Sequence, residues 1–97
     1  MTQHNFTLLR AIPLPNVAGA LDLHLKKMGS GLWNVKDARD PKGYTSLTIF
    51  ERSNTWHRFS GKDFGGVSGG SAIDLVIHIR ECTLQEAINF LSSHFLL

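Results

Sequence analysis

The sequence predicts an α+β domain, a small antiparallel sheet of three to four strands packed against three helices. Three observations predict it. Thr45 to Phe59 is dense in β-formers and is broken by the turn signal Ser53-Asn54. Ser71 and Thr83 each stand three residues before an acid, Asp74 and Glu86, at the head of an apolar-periodic segment. Val17, Leu21, Leu25 and Met28 recur at helical spacing.

Taken in order, residues 1–12 read as an extended arm ahead of a compact core spanning 13–97. Pro13 and Pro15 break any preceding helix, and Asn16 caps the next. That helix is expected over Val17–Met28, with Lys26 and Lys27 suiting its C-terminal dipole and Gly29 as the left-handed stop. Leu32-Trp33-Asn34-Val35 reads as a short strand and Asp37 to Gly43 as a polar loop. The hairpin that follows has two registers. A two- or four-residue loop puts Trp56 and Arg58 on the face of Leu47 and Ile49. A three-residue loop, Ser53 to Thr55, puts Phe59 there instead. It then gathers Thr48, Phe50, Arg52, Trp56 and Arg58 on the other face. The second separates apolar from basic-aromatic residues and is the expected register. Ser60 to Gly70 is a glycine-rich loop. Ile73, Val76 and Ile77 then mark one helix, and Leu84, Ala87, Ile88, Leu91 and Phe95 another. The expected core is Leu21, Leu25, Trp33, Leu47, Ile49, Ile73, Val76, Ile77, Ile88, Leu91 and Phe95.

A chain of 97 residues with 42% hydrophobic and 19% charged residues has room for one domain and is not of disordered composition. Its strongest apolar run, Leu75 to Ile79, is far short of the ~20 residues of a membrane span. No secretion-type leader follows Met1. The expected location is therefore the cytoplasm, with no membrane partner. A single cysteine, Cys82, excludes an internal disulfide and a multi-cysteine zinc site. The net charge is only +2, but eight of the ten Lys and Arg lie between Lys26 and Lys62. After Asp63 only Arg80 faces Asp74, Glu81 and Glu86. A basic middle can bind nucleic acid where its charges cluster.

No catalytic set stands out. Cys82 has no nearby His and reads as a buried, inert thiol; His78, inside an apolar helix, reads as a hydrogen-bonded core residue rather than a ligand. The glycine loop meets neither the Walker spacing nor the dinucleotide fingerprint. It reads as a connector to a well-capped helix. Arg52, Trp56, His57, Arg58 and Lys62 mix cations with rings, the mixture that grips single strands by charge and stacking. Composition alone favours a core Trp56 ringed by solvated charges.

A resemblance shifts that balance. Trp56-His57-Arg58-Phe59-Ser60-Gly61, then Gly69-Gly70-Ser71-Ala72-Ile73-Asp74-Leu75-Val76 and Thr83-Leu84-Gln85-Glu86-Ala87, resemble the N-terminal zinc-binding domain of bacterial and phage DNA primases. There an aromatic-His-Cys-Phe-x-Cys hairpin precedes a Gly-Gly-Asp-x-Ile helix and a short second helix. Val17 to Leu25 resembles that family's first helix, and Tyr44 to Ile49 its Thr-Pro-Ser-Phe strand. The ligands are missing. Asp37 stands for the first Cys and Asp40 for the His. Arg58 and Gly61 stand for the third and fourth ligands, which neither residue can supply. The chain thus resembles the zinc-less variants in primase-like proteins of plasmids, phages and integrative elements. It is expected to fold without the ~10–16 kcal/mol that structural zinc contributes, and needs no cofactor. A carboxylate–guanidinium pair between Asp37 or Asp40 and Arg58 is expected to bridge loop and hairpin.

The resemblance implies a zinc-ribbon-like, non-catalytic module that holds single-stranded DNA weakly, with little sequence preference, for a separate primase catalytic domain. Trp56 and Phe50 would stack on bases. Arg52, Arg58, Lys62 and Lys42 would meet phosphates, beside His57. The alternative is a scaffold that docks a primase, polymerase or helicase, with DNA binding lost.

Overall fold

The structure, a computed structural model, describes residues 6–36, 44–59 and 66–95. It is α+β. Two short helices, α1 (Phe6–Arg10) and α2 (Leu14–Ala20), precede strands β1 (His24–Gly29), β2 (Leu32–Lys36), β3 (Tyr44–Phe50), β4 (Thr55–Arg58) and β5 (Gly69–Gly70). Helices α3 (Ala72–Arg80) and α4 (Leu84–Phe95) follow. The strands form one antiparallel sheet in the order β1-β2-β3-β4-β5, one strand more than expected at least. The helices cover one face of it. No helix of the described residues is long and apolar enough to cross a membrane.

The N-terminal third differs from expectation. Of the residues expected as an extended arm, 6–10 are helical, and Leu9 and Ile12 are buried. Pro15 falls in the first turn of α2, where a missing N–H costs nothing. The helix expected to run from Val17 to Met28 stops at Ala20. Asp22 takes a left-handed φ of 58°, its N–H bonds Gly19 O, and Leu23 N–H bonds Ala18 O. This is a Schellman stop with Asp in the glycine position. Beyond it the chain is extended as β1, and the exposed His24 and Lys26 alternate with half-buried Leu23 and Leu25. Leucines at 21 and 25 fit a helical and a two-residue period equally well, which hid the break.

The hairpin takes the four-residue loop, Glu51 to Asn54. Ile49 pairs with Trp56 and Leu47 with Arg58. Asn54 sets the loop. It closes the turn at φ 53°, a conformation that Asn tolerates. Its side chain then clamps the N-terminal segment: Oδ1 accepts from Leu14 N–H at 2.9 Å, and Nδ2 donates to Ile12 O at 3.0 Å and Arg10 O at 3.2 Å. Asn54→Ala is therefore expected to lose about 2–3 kcal/mol, combining the left-handed penalty with lost bonds. Asn54→Gly keeps the backbone and loses less. Thermal melts of both variants check the order; equal losses would assign the whole effect to the amide.

Both expected helix starts are present. Ser71 N–H donates to Asp74 Oδ2 at 3.0 Å. Thr83 and Glu86 bond reciprocally, at 2.9 and 3.1 Å. The Thr83 backbone N–H holds the Glu86 carboxyl below its ordinary range. Gly70 has to be glycine, since its φ is 135° and a Cβ would strike the Asp74 carboxylate. Leu47, Ile49, Ile73, Val76, Ile77, Ile88 and Leu91 are buried as expected, while Leu21, Leu25, Trp33 and Phe95 pack half-buried around them. Leu9, Ile12, Leu14, Val17, Val35, Trp56 and Leu75, with Ala18, Ala72 and Ala87, join them in the core.

Candidate nucleic-acid interface

The register sorts the expected site residues onto two faces. Trp56 and Arg58 are 2% and 1% exposed, on the inner face. The expected exposed surface carrying both is not formed, because the four-residue loop turns them inward. Phe59, expected inside, is 62% exposed on the outer face. Phe50 is half-buried on that same face, and His57 is exposed there; Arg52 is exposed in the turn. Lys42 and Lys62 lie outside the described residues, as do Asp37, Asp40 and Gly61.

The outer face has a definite layout. Lys26 pairs with Asn34, Asn34 with Thr48, and Thr48 with His57, in one row across four strands. At a strand spacing of ~4.8 Å that row is about 14 Å long. Phe50 and Phe59 meet diagonally over its hairpin end, ring centroids 6.2 Å apart and edge to face. His57 adds a third ring, 4.7 Å from Phe59. Lys36, paired in register with His24, brings a further exposed charge to the β1–β2 side. None of the five strand segments contains Asp or Glu. Three rings thus lie at one end of the row and amines at the other, without a carboxylate between them. The sequence reading missed Lys26, Lys36 and Phe59. The alternation that starts at His24 was the available signal for Lys26, the parity of Lys36 with Asn34 on β2 that for Lys36, and the parity of Phe59 with His57 that for the ring.

On the inner face Arg58 has a structural task. Its Nε and Nη2 donate to His78 Nε2 at 3.1 and 3.0 Å. His78 is fully buried and donates from Nδ1 to Val67 O at 2.7 Å. A carbonyl only accepts and a guanidinium only donates, so this places the proton on Nδ1 and the lone pair on Nε2. Arg58 N–H also bonds Ser68 O at 2.8 Å. Hairpin, glycine loop and α3 are thereby joined where the resemblance would put a zinc ligand. These residues do not fit a zinc site: a cation occupies the position, and no three His, Cys, Asp or Glu gather among the described residues. The bridge expected to Asp37 or Asp40 falls on undescribed positions. His78 is the hydrogen-bonded core residue expected. Burial pushes the Cys82 thiol above its ordinary value, which suits an inert role.

An open groove of about 940 Å³ runs past Arg10, Pro13, Asn54 and Ser71 at the end of the sheet. The described residues that line it form no cluster of convergent catalytic groups. Compared with models of protein families and with curated proteins, the sequence matches none of them.

Proposed function

We propose that this chain is a zinc-less, primase-type template-binding module that holds single-stranded DNA on the outer face of its sheet and has no chemistry of its own. The carrying observation is that face, with Phe50, Phe59 and His57 beside Lys26 and Lys36 and no acid in any strand. Rings stack on bases without regard to sequence, and amines follow the phosphates. The order of hairpin, paired glycines and two capped helices supports the resemblance to primase domains. Its catalytic partner would be a primase domain elsewhere, in the cytoplasm of a cell carrying such a replication system. Arg52, and by sequence Lys42 and Lys62, would extend the phosphate path.

A titration of single-stranded oligonucleotide against salt tests this. Neutralising about three phosphates gives a log–log slope of roughly −2. Phe59→Ala is expected to cost about 1–3 kcal/mol of binding with the slope unchanged. Lys26→Ala or Lys36→Ala should flatten the slope by about 0.7 each. Absence of binding at low salt overturns the proposal. The exposed Phe6, Leu8 and Leu84 on α1 and α4 favour a second reading, a scaffold that docks a primase, helicase or polymerase. That reading expects a stable complex with a co-expressed replication protein and no oligonucleotide binding.

A further inference from the structure

We infer that the Arg58–His78 pair is an acid-sensitive latch: the sheet stays closed on α3 while His78 is neutral, and one proton taken up at its Nε2 releases it. The inference concerns the inner face of the sheet and stands apart from the DNA reading of the outer one.

Both ring nitrogens of His78 are committed. Nδ1 carries the proton and donates to Val67 O at 2.7 Å, and the Nε2 lone pair accepts from Arg58 Nε and Nη2 at 3.1 and 3.0 Å. A proton arriving from solvent has one place to bind, Nε2, and the new N–H bond uses the lone pair that Arg58 holds. The guanidinium then faces a donor and a second positive charge, where both side chains are buried. Arginine has no neutral form to fall back on. Nδ1–H still donates to Val67 O, so the tie of the glycine loop to α3 survives and the tie of β4 to α3 is lost.

The other surroundings do not reverse this. The Trp56 indole lies 4.7 Å away, centroid to centroid; it attracts a cation, but less than a buried guanidinium at hydrogen-bond distance repels one. Asp74, one turn earlier on α3, is held at the helix start by Ser71 N–H and Oγ. One turn later Glu81 is exposed, and the Cys82 thiol points to Val76 O. The strands beside β4 set Leu47 and Ile49 on one side and two glycines on the other. The buried side chains of α1, α2 and α4 are apolar. An unfolded chain takes up the histidine proton near pH ~6.5, and the folded one resists it to lower pH. The latch therefore contributes fully above about pH 6.5, and its contribution is lost as the pH falls below that.

The test is urea unfolding of the wild type and of His78→Gln, each at about pH 7.5 and about pH 5.5, one unit to either side of the free histidine value. Glutamine keeps an acceptor for Arg58 and takes up no proton. The other histidines and the carboxylates are common to both proteins, so their titration cancels in the comparison. Between the two pH values the folding equilibrium constant of the wild type is expected to fall about tenfold further than that of the variant, the effect of one proton bound by the unfolded chain alone. Equal falls in the two proteins overturn the inference. Should His78→Gln fail to fold, ring-nitrogen NMR of the folded wild type decides. His78 is expected to remain the neutral Nδ1–H tautomer at about pH 5.5. A ring that is protonated there, or one that carries its proton on Nε2, overturns the latch.

Discussion

Replacing His78 with Phe is expected to cost the domain about 3 kcal/mol, a large part of the ~5–15 kcal/mol that holds a fold of this kind. The ring volume is kept, so the loss is one of hydrogen bonding. Arg58 is buried, and its guanidinium loses the acceptor at Nε2; Val67 O loses its donor as well. A buried polar group stripped of a partner costs about 1–3 kcal/mol, and more when it is charged. Arg58→Met in the wild-type background removes the charge but leaves His78 Nε2 without its donor, a smaller loss of about 1–2 kcal/mol. The double variant is expected to recover part of the single losses, since an apolar pair of similar volume often replaces a buried polar one at little cost. Urea unfolding of the four proteins forms the cycle. Strict additivity would mean that the two side chains act independently, and the bond seen between them would then contribute nothing to stability.

The elements with local signals were legible. Both helix starts, at Ser71 and Thr83, follow from a side chain and a backbone group three residues apart, and both formed. The β1 strand was not, because Leu21 and Leu25 satisfy two periods and the stop residue was Asp22, where glycine is the usual sign. The hairpin register was illegible for a different reason. Its loop length is decided by Asn54, whose amide reaches about forty residues back to Leu14, Ile12 and Arg10. Sequence pattern on the hairpin itself could not weigh that contact against the tidy separation of apolar and basic residues. One residue of register moved every side chain of β4 to the opposite face.

The same slip explains the site. Phe50 was legible as an outer-face residue, because both registers put it there; His57 was not, because the expected register put it on the face of Phe59, whereas it pairs with Thr48 outside. Trp56 and Arg58 were assigned to DNA by the three-residue register and the resemblance, although composition alone favoured the core position that Trp56 takes. Of the missed lysines, Lys26 belongs to a segment read as helix, and Lys36 directly follows the segment read as a short strand. Arg58 was read as a residue that cannot ligate zinc; its partner is His78 on α3, a residue that carries no spacing relation to the hairpin.

Trp56→Ala is accordingly expected to act on folding and not on binding. The ring is 2% exposed, its Nε1 donates to Ser71 O at 2.9 Å, and its centroid lies 4.7 Å from that of His78. Truncating a buried Trp costs about 3–5 kcal/mol. For a domain of this size each kcal/mol moves Tm by about 4–8 °C, so the variant should melt some 12 °C lower at least or fail to accumulate. Trp56→Phe keeps most of the packing. It removes one donor from Ser71 O, which still accepts from Leu75 N–H at 3.0 Å. That variant should lose only about 1–2 kcal/mol, and the folded protein should bind oligonucleotide like the wild type. Phe59→Ala is the opposite case: stability changes by about 0.5 kcal/mol or less, as for an exposed side chain, while binding falls. Melting and oligonucleotide titration on the three variants therefore separate the two faces of one strand. A Trp56→Phe protein that melts like the wild type but binds tenfold more weakly would put the indole against a base, and the inner face of β4 would then open during binding.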